Sequence, residues 1–156
     1  MAKETSDKKI IANNKEARFR FQIMDTYEAG LVLQGTEVKS LRNGKAAMSD
    51  SFAYIKNGQA YLSHLHISVY THGNRENHEP MRERKLLLHK EEIIKMQHAI
   101  EREGMTIVPT LLYFLKGRVK IELGIAKGKK THDKRATIKE RDAKKELAKV
   151  TKRSAK

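Results

Sequence analysis

The chain has no cysteine, two prolines, four phenylalanines and five tyrosines among its 156 residues. Without cysteine there is no disulfide framework, no thiolate nucleophile and no cysteine-ligated zinc, and the redox compartment stays open. No apolar run reaches membrane-spanning length, and Met1 to Lys9 is charged and followed only by the short apolar island Ile10, Ile11 and Ala12, not by a long apolar run. Neither spanning nor export is expected, and the cytoplasm is the default location. Acidic residues are scarce: 19 Asp and Glu stand against 33 Lys and Arg, a formal net charge of +14. That balance points to a polyanionic partner.

The charge is uneven. Residues 127–156 carry 13 Lys or Arg and 4 Asp or Glu, a net +9, which leaves +5 on the first 126 residues. The chain therefore divides into a basic arm over 1–17, flexible at its start, one folded domain over 18–126 and a basic tail over 127–156. In the tail, Ala136, Ile138, Ala143, Leu147, Ala148 and Val150 are small and scattered, so it is expected to be disordered when free. Good helix formers between Glu140 and Ala148 allow it to become helical against a partner.

Within the domain, Phe19, Phe21 and Ile23 alternate with Arg20 and Gln22, the spacing of a half-buried strand, and Gly30 predicts a bulge or bend before Leu31 resumes it. Leu31, Val32 and Leu33 lead into a short helix from Gly35 to Arg42, capped by Thr36 without a full capping box and stopped at Gly44. Val38 and Leu41 share one face of that helix, and Lys39 and Arg42 another. Such a turn clamps two cations to a core, or is simply solvated surface.

Asn57-Gly58 predicts a hairpin with Tyr54 opposite Tyr61, and with Phe52, Leu65 and Ile67 on the same, core-facing side. His64 and His66 then fall on the other side with Ala53, Ile55 and Leu62. Solvent or RNA contact suits this histidine pair better than metal, because no third ligand has a recognisable spacing. Residues 71–80 read as a long loop, and His89 to Glu103, closed by Gly104, as a helix whose stripe of Ile93, Met96 and Ile100 covers or plugs a sheet. A second hairpin around Lys116-Gly117 pairs Phe114 with Val119 and Leu112 with Ile121 on the buried face, and Tyr113 with Lys120 outside. An exposed aromatic beside a lysine suits base stacking next to a phosphate contact, or is an ordinary surface pair. The order of elements predicts a mainly β, α+β fold: a small barrel, closed or partly open, with flanking helices.

No Gly-rich phosphate loop, H-E-x-x-H, G-x-S-x-G or dinucleotide fingerprint occurs, and the serines have no recognisable catalytic setting. An enzyme is not expected, nor a cofactor or metal. A basic nuclease using His64, His66 or His132 as general base stays open as the enzymatic alternative, and a general RNA-binding barrel protein as the other.

Four stretches, in order, resemble the SsrA-binding protein (small protein B) family: GLVLQGTEVKSLRNGKA over 30–46, RERKLLLHKEEI from Arg82, VKIELGIAKGKK over 119–130 and HDKRATIKERDAKKE over 132–146. The resemblance runs from about Ile11 onward. It implies an OB-like barrel without catalytic chemistry that holds the tRNA-like domain of transfer-messenger RNA (tmRNA) at its elbow. It also implies that the tail enters the empty decoding site and mRNA channel of a stalled ribosome and becomes helical there. Trans-translation then rescues the ribosome and tags the incomplete product. The implied partners are tmRNA, the ribosome at its small-subunit decoding centre and mRNA channel, and the elongation factor Tu complex with alanyl-tmRNA; a membrane is not among them.

Matched position by position, the family's RNA-facing barrel residues fall on Asn14, Glu28, Leu87 and Lys120, and the reading of the central helix adds Lys39 and Arg42. The decoding-centre contacts fall on Lys127, Gly128, Lys129, Lys130, His132, Asp133, Lys134 and Arg135. Where many relatives carry an aromatic in the middle of the tail helix, this chain has Ala143. A carboxylate near phosphates repels, so Glu28 either orients a cation or accepts from a nucleobase amine or 2′-OH; the second role is the one predicted.

Overall fold

The computed structural model describes residues 8–71 and 77–128. Over these residues the chain runs β1 (Lys8–Asn13), α1 (Lys15–Arg20), β2 (Phe21–Leu31), α2 (Gly35–Arg42), β3 (Ala46–Ala47) and β4 (Phe52–Lys56). It continues through β5 (Gln59–Ser63), β6 (His66–Ile67), β7 (Arg84–Leu87), α3 (Lys90–Glu103), β8 (Thr106–Leu115) and β9 (Arg118–Gly128).

Two tight turns set the registers. Asn57 (φ 53°) and Gly58 (φ 71°), and likewise Lys116 (φ 50°) and Gly117 (φ 79°), take left-handed backbone, whose twist matches that of the strands a two-residue turn joins. Tyr54 therefore lies opposite Tyr61, Leu112 opposite Ile121, Tyr113 opposite Lys120 and Phe114 opposite Val119, as the sequence predicts. The antiparallel pairings β8–β4, β4–β5, β5–β7, β7–β2, β2–β9 and β9–β8 close the sheet into a ring. β1 adds to β8, and β3 pairs with β6 in a separate two-stranded ladder. Leu62, Leu86, Leu112, Ile121 and Leu123 fill the interior, and Met96 of α3, fully buried, joins this cluster as expected of a helix that plugs a sheet. The mainly β, α+β class stands.

Several local expectations are corrected. Phe19 lies in α1, not in a strand, because Asn14 caps that helix by accepting from the Ala17 N–H (3.2 Å). β2 runs unbroken through Gly30, and its irregularity falls between Ile23 and Asp25. Gln34, not Thr36, is the N-cap of α2, and the Glu37 carboxylate accepts the Gln34 N–H (2.8 Å), so the acid closes the first turn from inside the helix.

The faces of the β4–β5 hairpin are reversed. Ala53, Ala60 and Leu62 face the core, while Phe52, Tyr54 and Tyr61 lie outside. Ile55 packs against the same core from this wall. Leu65 and Ile67 are nevertheless buried, since His64 adopts left-handed backbone (φ 63°) and breaks the alternation after Ser63. His64 consequently sits with the outer rings. The folded region also extends to either side of 18–126: β1 pairs along β8, and β9 continues through Lys127 and Gly128, which pair with Gln22 and Phe21.

Candidate nucleic-acid interface

Strand alternation places the candidate residues on the outer face of the ring. In β7, Arg84 and Leu86 point inward, leaving Lys85 and Leu87 outside; in β2, Ala29 is buried and Glu28 exposed; in β9, Ile121 and Leu123 are buried, with Lys120 and Glu122 turned away from them. The registers set Gly30 opposite both Leu87 and Lys120, and Glu28 opposite Glu122. Glu28, Leu87 and Lys120 thereby line one open groove of about 480 Å3, together with Lys85, His89 and Glu92. Gly30 forms its floor. A Cβ there would stand 3.3 Å from the Leu87 Cβ, so glycine lets Leu87 lie across the strand at 53% exposure.

Tyr113 adds a part that the outer-face reading did not foresee. The ring is only 3% exposed, covered by Lys8, whose Nζ lies 4.2 Å from the ring centroid, and its hydroxyl donates to Glu28 Oε2. Burial, then this hydrogen bond, then the charges of Glu28 and Glu122 push the phenol above its ordinary value of 10.0. The hydroxyl holds one carboxylate oxygen of Glu28 in place. Beside it, Glu122 is engaged by Thr110, whose Oγ1 donates to Oε2 at 2.5 Å, and by Arg18 at 4.0 Å. The groove thus offers ammonium groups for phosphates and an oriented carboxylate for amine or hydroxyl donors.

Other predicted residues lie elsewhere. Asn14 is 4% exposed; its Nδ2 donates to the carbonyls of Pro109 (2.8 Å) and Met48 (3.2 Å), and its Oδ1 caps α1. Its amide is engaged within the fold. Lys39 and Arg42 are exposed on α2, outside the lining of the groove, with the Lys39 Nζ 5.6 Å from the centroid of the Tyr70 ring. Lys127 and Gly128 are exposed at the end of β9. Lys129, Lys130, His132, Asp133, Lys134, Arg135 and the predicted tail helix around Ala143 lie outside the described residues.

Sequence reasoning missed what holds β7 in place. Arg84 and Glu37 are both fully buried: Arg84 Nε donates to Glu37 Oε2, while its Nη1 and Nη2 donate to the Leu65 (2.5 Å) and Pro80 (3.2 Å) carbonyls. Arg82 donates to Glu37 Oε1 (2.6 Å). Burial works to raise the Glu37 carboxyl, but hydrogen bonds from Arg82, the Gln34 N–H and Arg84, with the Arg84 charge, hold it below its ordinary value of 4.5. Nothing in Arg82-Glu83-Arg84-Lys85 distinguishes the inward cation, since the pairing joins residues 47 apart. His78 is likewise buried, its Nε2 2.8 Å from the Ile67 carbonyl and its Nδ1 2.9 Å from Thr36 Oγ1, which ties the segment 77–80 to α2 and β6; residues 72–76 of the predicted loop lie outside the described residues. Lys85 and Leu87 are thus carried on an anchored strand.

A family model described as SmpB protein matches residues 11–153. The chain belongs to the SsrA-binding protein (SmpB) family. It is 58% identical over 143 residues to the SsrA-binding protein of Zymomonas mobilis, covering 91% of this chain and 89% of that protein. The Geotalea uraniireducens SsrA-binding protein is 56% identical over 140 residues (90% and 93%), and that of Saccharopolyspora erythraea 49% over 156 (100% and 98%). Among solved structures, a chain from "tmRNA-SmpB: a journey to the center of the bacterial ribosome" superposes with a TM-score of 0.65 at 46% identity, covering 77% of this chain and 85% of that one. In this SmpB-family chain, no helix among the described residues is long and apolar enough to cross a membrane, and no group of three or more His, Asp or Glu among them could hold a metal ion.

Proposed function

We propose that this chain is the RNA-binding protein of trans-translation. It binds the tRNA-like domain of tmRNA, delivers it to stalled ribosomes with the elongation factor Tu complex of alanyl-tmRNA, and probes the empty decoding site with its basic tail. The observation that carries this reading is membership of the SsrA-binding family over residues 11–153, joined to a relative solved as tmRNA–SmpB on the bacterial ribosome. The groove supports it: Glu28, Leu87 and Lys120, far apart in sequence, line one surface. Its role is binding and placement, without catalysis, in the cytoplasm where ribosomes work. In the groove, Lys120 meets phosphate, Leu87 packs against a sugar or base, and Glu28 accepts from an amine or 2′-OH. Lys39 and Arg42 add phosphate contacts from α2, and Asn14 acts by fixing the junction of β1, α1 and β8. Lys127 to Arg135 belong to the ribosome-directed part.

The test is a salt titration of binding to tmRNA and to ordinary tRNA, with the full chain and a version ending at Gly128, since β9 runs that far. Both versions are expected to prefer tmRNA, and only the full chain to support tagging on stalled ribosomes. Equal binding to both RNAs with a shared salt slope would make this a general basic RNA binder. RNA cut in magnesium and spared on changing His64, His66 or His132 would establish the nuclease reading instead.

A further inference from the structure

The solvent side of the β4–β5 hairpin carries aromatic rings that the groove does not use. The centroids of Tyr54 and Tyr61 stand 5.6 Å apart at 27°, Phe52 lies 6.4 Å from Tyr54, and His64 stacks on Phe52 at 5.5 Å and 27°. Of the chain's nine phenylalanine and tyrosine residues, three thus gather on one hairpin face, and Phe52 is 39% exposed. Large rings left in contact with water forgo the stabilisation that burial would bring, which makes their clustering informative. The left-handed backbone of His64 turns the chain so that its ring meets Phe52.

This row continues the groove. Tyr61 pairs directly with Lys85 across β5 and β7, and Lys85 and Gln59 line the groove itself. Lys56 stands at the hairpin end, exposed, and Glu83, the acid beside Tyr54, accepts the Tyr54 hydroxyl. Flat rings interleaved with ammonium groups match single-stranded nucleotides, because every base has a π face and the phosphates between bases meet cations. A polyanion seated on Lys120 and Lys85 has its path prolonged over these rings.

We propose that Phe52, Tyr54, Tyr61 and His64 form a second RNA contact, a stacking platform for unpaired bases of the RNA held in the groove, with Lys56 and Lys85 as its phosphate contacts. The inference rests on the groove being the tmRNA-binding surface.

The experiment measures binding of the full chain to tmRNA and ordinary tRNA across a salt series, for the parent, Phe52→Leu, Tyr61→Leu, Tyr61→Phe and Lys85→Ala, with thermal melts to confirm folding. Each leucine variant is expected to weaken tmRNA binding about 5- to 150-fold without altering the salt slope, as lost stacking does. Tyr61→Phe keeps the ring and the affinity, and Lys85→Ala lowers the slope by about one. If Tyr61→Leu does not fold, exposed Phe52→Leu carries the test. Leucine variants that bind tmRNA like the parent overturn the platform; if they also lose ribosome binding, the rings face a ribosomal component instead. A parent that does not prefer tmRNA overturns the groove reading itself, which distinguishes the two failures.

Discussion

Arg84 of β7 and Glu37 of α2 form an ion pair in which neither side chain touches solvent. The pair spans the gap between the short helix and the strand that carries Lys85 and Leu87, and Arg82 completes the carboxylate's coordination from its other oxygen. Burying two charges is favourable only where hydrogen bonds satisfy both groups, as they do here.

Glu37→Ala leaves the Arg84 guanidinium buried without its counter-charge. Breaking one side of such a pair costs about 3–5 kcal/mol, so the urea midpoint should fall well below that of the parent. A midpoint within error of the parent would show that water reaches and solvates Arg84.

The same pair gives stability a defined pH dependence. Glu37 is held below its ordinary value of 4.5, so the unfolded chain binds the proton more tightly than the folded one. Its contribution is complete above about 4.5 and is lost as pH falls through the lowered folded value. Melting temperatures of the parent and Glu37→Gln, compared from neutral pH downward, should converge in that acidic window. A gap that stays constant would mean that Glu37 titrates alike in both states.

Tyr113→Phe removes the donor that orients Glu28 while keeping the ring under Lys8. A lost hydrogen bond of this kind costs about 0.5–1.5 kcal/mol of stability, and tmRNA affinity should fall as it does for Glu28→Gln. Because both changes disable one unit, the double variant should bind no more weakly than the weaker single. Additive losses would place the two residues in separate contacts.

Asn14→Ala removes a helix cap and leaves the Met48 and Pro109 carbonyls without their amide donor. The expected destabilisation is about 1–3 kcal/mol, read as a lowered melting temperature. Any loss of tmRNA binding should recover at a temperature where the variant is fully folded. Weak binding by a fully folded variant would give Asn14 a direct RNA contact.

Much of the candidate site was legible because its signals are local. Asn57-Gly58 and Lys116-Gly117 determine two hairpin registers by backbone sign alone, and from them follow Tyr54 opposite Tyr61 and Tyr113 opposite Lys120. The uneven charge and the family stretches likewise belong to the sequence itself. What a register does not decide is which side of a strand faces inward. Phe52, Tyr54 and Tyr61 alternate with Ala53, Ala60 and Leu62 on the two sides of the hairpin, and which set is buried was decided by the closing of the ring, which took the smaller one. Long-range polar pairs were hidden for a related reason. Arg84 with Glu37 and Tyr113 with Glu28 join residues 47 and 85 apart, and a charged or hydroxyl side chain looks the same in sequence whether it meets water or a buried partner. Turns and composition are properties of neighbouring residues, so the sequence alone determined them; burial and partnership depend on how the ring closes, so only the tertiary structure could.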